Sequence, residues 1–143
     1  MCVKQVSVSL DNVPGKLMDV SERLGVEGIN IRAISVADTA DISTVRFVTD
    51  DPEKTNNVLR SHGYSVRITD VIALEVPDHP GGLQAVLKPL RAAKINVLYL
   101  YPYLGRGESG QPIVIVGVDK TEEALQVLRN NWVHTFGKEI YAL

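Results

Sequence analysis

An α+β fold is what the sequence predicts: two copies of one βαββαβ module, each an antiparallel sheet with one face covered by helices. Three observations predict it: an internal repeat, strand-type alternation at the start of each copy, and helix-type spacing directly after. Pro14-Gly15 recurs as Pro80-Gly81, 66 positions later. At that offset Leu17 meets Leu83, Val20 meets Val86, Leu24 meets Leu90, and Ile29-Asn30-Ile31 meets Ile95-Asn96-Val97 without a gap. Farther on, Asp50 matches Asp119 and Leu59 matches Leu128 at an offset of 69. The three extra residues therefore fall within Gly105-Arg106-Gly107-Glu108-Ser109-Gly110. A fixed-offset repeat of this kind signals duplicated structural units, here residues 1–69 and 70–143.

Each copy opens on a half-buried strand, with Val6, Val8 and Leu10 alternating with polar residues, and Ile72, Leu74 and Val76 repeating the pattern. Pro14 suits the first turn of a helix. Leu17, Val20 and Leu24 then follow at three- and four-residue steps, one apolar stripe, and Gly28 ends the helix. Ile29–Ala37 and Ile42–Thr49 read as strands around the polar turn Asp38-Thr39-Ala40-Asp41. Asp51-Pro52-Glu53 opens a second helix through Ser61, His62-Gly63 closes it, and Tyr64–Ile68 is a fourth strand. The second copy places helices at Pro80–Ala92 and Thr121–Asn130. A closing strand, Lys138–Ala142, is expected by its likeness to Asp70–Leu74. This order of elements is the split β-α-β, ferredoxin-like arrangement.

The copies differ in one face of their sheets. Arg32, Thr44 and Arg46 share a parity in the first, opposite to Ile31, Val45 and Phe47. Carried across by the offsets, that face in the second copy becomes Leu98, Leu100, Ile113 and Ile115. Four apolar side chains, each worth about 1.5–3 kcal/mol when buried, require a cover, so this face is expected to pack on another sheet.

Apolar residues are 45% and charged residues 22% of the 143, a globular rather than a disordered balance. With 15 Lys and Arg against 17 Asp and Glu, net charge −2, the broad cationic footprint of a nucleic-acid binder is absent. The strand Thr44–Thr49 also lacks the Gly-aromatic signature of RNA-recognition modules, which share this architecture. The longest uncharged apolar-rich stretch, Ile95–Gly105, is far shorter than the roughly 20 residues of a membrane span. Met1-Cys2-Val3-Lys4-Gln5 lacks signal-peptide features, and the single Cys2 can form no internal disulfide. A cytoplasmic location is the expectation. No Gly-x-Ser-x-Gly, His-Glu-x-x-His or P-loop occurs, so no catalysis is expected. His62, His79 and His134 lack ligand spacing, so neither metal nor cofactor is expected. Tyr99, Tyr101 and Tyr103 share a strand face as core or interface anchors, and Trp132 is read as a packing residue.

Leu10-Asp11-Asn12-Val13-Pro14-Gly15-Lys16-Leu17 followed by Glu27-Gly28-Ile29-Asn30-Ile31 resembles the ACT domain, a small regulatory module of amino-acid metabolism. Pro77-Asp78-His79-Pro80-Gly81-Gly82-Leu83 with Lys94-Ile95-Asn96-Val97 resembles a second copy, so the likeness covers essentially the whole chain as two modules with nothing attached. The resemblance implies a non-catalytic, allosteric protein that binds a small ligand, an amino acid, between modules, as a homodimer and with an enzyme partner. It places the ligand between the loop before the first helix and the start of the second strand. The family's two polar positions fall on Asn12 and Asn30 in the first copy and on Asp78 and Asn96 in the second, Asp78 departing from the pattern. The opening also resembles the regulatory subunit of acetolactate synthase, but that subunit's second half is a different domain, whereas this chain repeats itself.

The chemistry of these residues fits a zwitterion. Helix openings at Pro14-Gly15 and Pro80-Gly81 offer unpaired N–H groups and partial positive charge to a carboxylate. Gly15 and Gly81 admit close approach, and Asn12, Asn30 and Asn96 carry both donor and acceptor. Asp78 favours an ammonium, so the copies should differ in affinity or ligand. The same residues also suit plainer roles. Asn12 and Asp78 can cap or shape a turn, and Asn30 and Asn96 can tolerate an unusual backbone angle.

Overall fold

The computed structural model describes residues 2–143. The elements run β1 (Val3–Asp11), α1 (Lys16–Val26), β2 (Ile31–Asp38), β3 (Ile42–Thr49), α2 (Pro52–Ser61), β4 (Ser65–Glu75), α3 (Gly82–Ala92), β5 (Val97–Arg106), β6 (Pro112–Val118), α4 (Thr121–Asn130) and β7 (Thr135–Phe136), with a closing 3₁₀ turn at Lys138–Tyr141. The architecture is α+β, antiparallel strands with helices. The chain divides into two compact units: Lys4–Thr69, and Asp70–Leu143 with Cys2 and Val3.

In the first unit β3 lies between β1 and β2, with Phe47 opposite both Val6 and Ile34, and β1 also pairs with β4. The alternation read from the sequence puts Val6, Val8, Leu10, Val45 and Phe47 on one face. There they meet Val20 and Leu24 of α1 and Leu59 of α2 in a single core. The α1 stripe is shorter than its spacing predicts. Val20 and Leu24 are fully buried, but Leu17 is 41% exposed, so the first helical turn stands clear of the sheet. Helix α2 has the start its sequence suggests: Asp51 accepts the Lys54 N–H at 3.1 Å and Pro52 fills the first turn. The buried Thr49 and Thr55 hydroxyls satisfy each other at 2.8 Å.

In the second unit the strand order is β5-β6-β4-β7. Ile72, Leu74, Val76, Val116 and Val118 face Val86, Leu90, Ala124, Leu125 and Leu128. Four sequence expectations need correction. Tyr64–Ile68 and Ile72–Val76 are not separate strands, since β4 is one strand of 11 residues. The segment Lys138–Ala142 is not a strand. Gly137 ends β7, and local bonds from Ile140 N–H to Gly137 O and Ala142 N–H to Glu139 O wind it into a 3₁₀ turn.

The apolar face also divides differently. A bulge between Val97 and Tyr99 shifts the parity of β5. Leu100, opposite Val116, joins the helix-side core, while Tyr101 is opposite Ile115. Tyr101, Tyr103, Ile113 and Ile115 are buried, and Leu98 remains 56% exposed. Lastly, Trp132 packs against nothing: it is 96% exposed.

Trp132 also has φ of +63°, and its counterpart in the first copy is Gly63, at φ +84°. Lys94 (φ +58°) likewise stands where the first copy has Gly28. A side chain in this region costs about 1–2 kcal/mol, which glycine avoids at some entropic cost in the unfolded chain. Trp132→Gly should therefore raise the unfolding free energy by roughly 0.5–1 kcal/mol, read as a higher urea midpoint at unchanged slope. A lower midpoint would show that the indole makes a contact worth more than the strain.

Candidate functional site

The seven candidate residues sort into two groups at opposite ends of their units. At one end are the helix openings. Gly15 and Gly81 take left-handed angles, φ +90° and +84°, and turn the chain into α1 and α3. No side chain caps either helix, and a Cβ at either glycine would meet nothing within 4 Å. The start of α1 therefore has no side-chain cap to compete with an anion, whereas in α3 the buried Gly82 already donates its N–H to His79 O at 2.9 Å. Asn12, Val13, Pro14 and Gly15 are exposed, as are Asp78, His79, Pro80 and Gly81.

Around each opening, the loop is tied to the turn between the second and third strands of its copy. Asn12 N–H donates to Asp41 O at 2.9 Å, and the Asn12 side-chain amide donates to Thr39 O at 3.3 Å. In the second copy the loop again donates, but to a side chain: Asp78 N–H bonds Gln111 Oε1 at 2.9 Å. The turn-shaping role therefore accounts for one of the two Asn12 amide protons. Asp78 itself is exposed.

Asn30 and Asn96 lie at the far ends of α1 and α3. Eleven helical residues separate Asn12 and Gly15 from the Asn30 end, about 16 Å along the axis. Within one unit, then, the helix opening and its Asn do not share a crevice. What holds each Asn is a reciprocal backbone clasp the sequence reading missed. Asn30 N–H donates to Asp50 Oδ1 at 3.0 Å and Asp50 N–H returns a bond to Asn30 O at 3.0 Å. Asn96 and Asp119 repeat it at 3.0 and 3.2 Å. The matching of Asp50 with Asp119 in the repeat was the signal that could have found it.

A second feature joins residues far apart in sequence. Glu75, Glu108, Ser109, His134, Phe136, Glu139 and Leu143 line a cavity of about 230 Å³ in the second unit. Glu75 Oε2 accepts from Ser109 Oγ at 2.9 Å and lies 3.2 Å from His134 Nδ1, whose ring stacks on Phe136. Serine and histidine both end on the carboxylate instead of on each other, so histidine is not placed to activate the serine as a nucleophile. Glu139 accepts the Gly137 N–H, which holds its carboxyl below the usual range. The Cys2 thiol is pushed up, first by burial and then by Asp70 and Glu122, the opposite of an activated thiolate. The Tyr103 hydroxyl donates to Ile140 O at 2.7 Å, so it anchors the C-terminal turn. His62 and His79 are bonded to the nearby carbonyls of Val58 and Pro80. Among the described residues no helix is long and apolar enough to cross a membrane.

A family model described as the ACT domain pair matches residues 1–141. The chain belongs to this family. The ACT pair is also similar in structure to a Bacteroides thetaiotaomicron protein at 30% identity, with a TM-score of 0.91 over 100% of this chain and 98% of the other. The fold recurs in the regulatory subunit of aspartate kinase from Thermus thermophilus, at 14% identity and a TM-score of 0.62 over 90% and 92% of the two chains. The Thermus flavus subunit gives 15% and 0.61 over the same shares. No match was found among curated proteins. ACT domains are regulatory rather than catalytic modules.

Proposed function

We propose that this ACT pair is a non-catalytic regulatory protein that binds a free amino acid where one ACT module meets another. In this reading residues 1–69 and 70–143 are two ferredoxin-like modules. The strand orders support this, since the central pair is β3 and β1 in the first unit and β6 and β4 in the second.

The observation that carries the ligand reading is the pair of uncapped, sterically open helix starts at Gly15 and Gly81, with exposed amides at Asn30 and Asn96. The first offers N–H donors to a carboxylate, and the second offers a carbonyl to an ammonium. Because these groups lie at opposite ends of a module, one ligand can touch both kinds only where two modules adjoin. A ligand bound there favours one arrangement of modules over another, a population shift.

The Thermus proteins share the fold and are regulatory subunits of aspartate kinase. By that analogy the ACT pair passes its ligand state to an enzyme of amino-acid metabolism, and the ACT resemblance adds a homodimer to the proposal. Acetolactate synthase gains no particular support, because the second half repeats the first.

Thermal denaturation in the presence of each proteinogenic amino acid tests the proposal. A ligand at 100 times its dissociation constant adds about 2.7 kcal/mol, a plainly visible rise in Tm. Asn30→Ala and Asn96→Ala then show which copy holds it. If no amino acid shifts Tm and titration calorimetry detects no heat, the proposal fails.

A further inference from the structure

We propose that Asp50 and Asp119 are positioning residues that fix Asn30 and Asn96 for ligand contact, an inference that rests on the amino-acid-binding reading above. Asn30 lies one residue beyond the last ladder pair of the first unit, Ile31 opposite Thr49. Strand pairing alone would leave it to fray. Instead each of its backbone polar groups is held by Asp50, N–H to carboxylate and C=O to N–H. On the other side, buried Ile29 donates its N–H to Leu24 O at the end of α1. With the backbone pinned on both sides, the direction of the Asn30 Cα–Cβ bond is set, and only two side-chain torsions stay free. A group whose geometry is set before binding loses less entropy on contact.

The second copy repeats every part of this. Ile95 is buried and donates to Leu90 O, and Asn96 exchanges both bonds with Asp119. The neighbourhood has otherwise changed. Lys120 stands where Asp51 caps α2, and α4 has no side-chain cap. Lys54 donates to Glu27 O at 2.7 Å in the first copy; its counterpart is Glu123, and that of Glu27 is Ala93. Lys94 replaces Gly28. Helix cap, charge and turn residue differ, while the Asn–Asp clasp is common to both copies. A bare strand start needs no particular outward side chain. A clasp paired each time with an exposed carboxamide fits a group held ready for a partner.

The test compares Asp50→Ala, Asp119→Ala and the conservative Asp50→Asn, whose Oδ1 can still accept. Backbone hydrogen exchange of Asn30 and Asn96 is followed by NMR, and affinity for each of the twenty amino acids by calorimetry. Asp50→Ala should speed Asn30 N–H exchange about tenfold, the loss of one charge-assisted hydrogen bond. Asn96 should be unaffected, and affinity at the first copy should fall by a similar factor. Asp119→Ala should do the reverse, and Asp50→Asn should keep both protection and affinity.

Unchanged Asn30 exchange in Asp50→Ala overturns the clasp, as does equal loosening of both Asn residues. Freed exchange with undiminished affinity leaves the clasp merely structural and sinks the positioning role alone. If the wild-type protein binds none of the twenty, the ligand reading itself has failed, whatever the exchange data show.

Discussion

Phe47→Ala should lower the free energy of unfolding by about 3–5 kcal/mol, the usual cost of deleting a buried ring and leaving a cavity. Phe47 is wholly buried at the centre of the first unit's sheet, between Val6 and Ile34 by register. It belongs to the same core as Val20, Leu24 and Leu59. Strands on both sides are fixed by ladder bonds, so the surrounding wall cannot collapse onto the vacated space. The second copy places Val116 at the equivalent point, 1% exposed. Val116→Ala removes two methyl groups, about 1.6 kcal/mol of transfer free energy. Equilibrium urea unfolding distinguishes the two. A Phe47→Ala cost no larger than that of Val116→Ala would mean the first unit's core rearranges to fill the gap.

The contrast between Phe47 and Val116 also shows what the amino-acid pattern could reveal. Period-2 alternation located Val6, Val8 and Leu10 and period-3.6 spacing located α1, because burial on one face imposes those rhythms on local sequence; the Asp51-Pro52-Glu53 opening located α2, and the repeat carried both helices to α3 and α4. The repeat offset placed the two copies in correspondence, glycine for glycine at the helix openings. What escaped was non-local or depended on a single backbone irregularity. The bulge before Tyr99 moved Leu100 to the helix side, and no residue type announces a bulge. Leu17 fits the α1 stripe by spacing, yet its turn stands clear of the sheet. Trp132 reads as a packing residue by type, but its position inherits the left-handed turn of Gly63.

At the candidate site the residue types were legible and their grouping was not. Asn12 and Asn30 are only 18 positions apart, but the intervening helix separates them by its whole length. Asp50 is 20 residues from Asn30, and His134 is 59 from Glu75. Only the folded sheet joins such pairs.

Gly82→Ala should cost at least the 1–3 kcal/mol typical of an overpacked site, and should displace the second helix opening. A Cβ at Gly82 would lie 1.8 Å from the Pro77 carbonyl oxygen and 2.9 Å from its carbon. These are backbone atoms, so no side-chain rotation can relieve the clash. The turn cannot easily widen either. Gly82 N–H donates to His79 O at 2.9 Å, His79 N–H donates to Pro77 O at 3.0 Å, and Asp78 N–H is tied to Gln111. The proline ring at Pro77 restricts its φ as well. The first copy carries Lys16 at the matching position, so its opening has room for a side chain and Lys16→Ala should change stability little. A Cβ at Gly117 would also clash, 2.2 Å from the Tyr99 ring, but there the obstacle is a side chain that can turn. For Gly82→Ala the relief must come from the segment Pro77–Gly81, so the amide resonances of Asp78, His79 and Gly81 should shift more than those of the first copy. If the amino-acid site uses this opening, ligand affinity at the second copy falls with them while the first copy's is retained. Stability within experimental error of wild type, with those resonances unmoved, would show that the Pro77–Gly82 turn is not as tight as its geometry indicates.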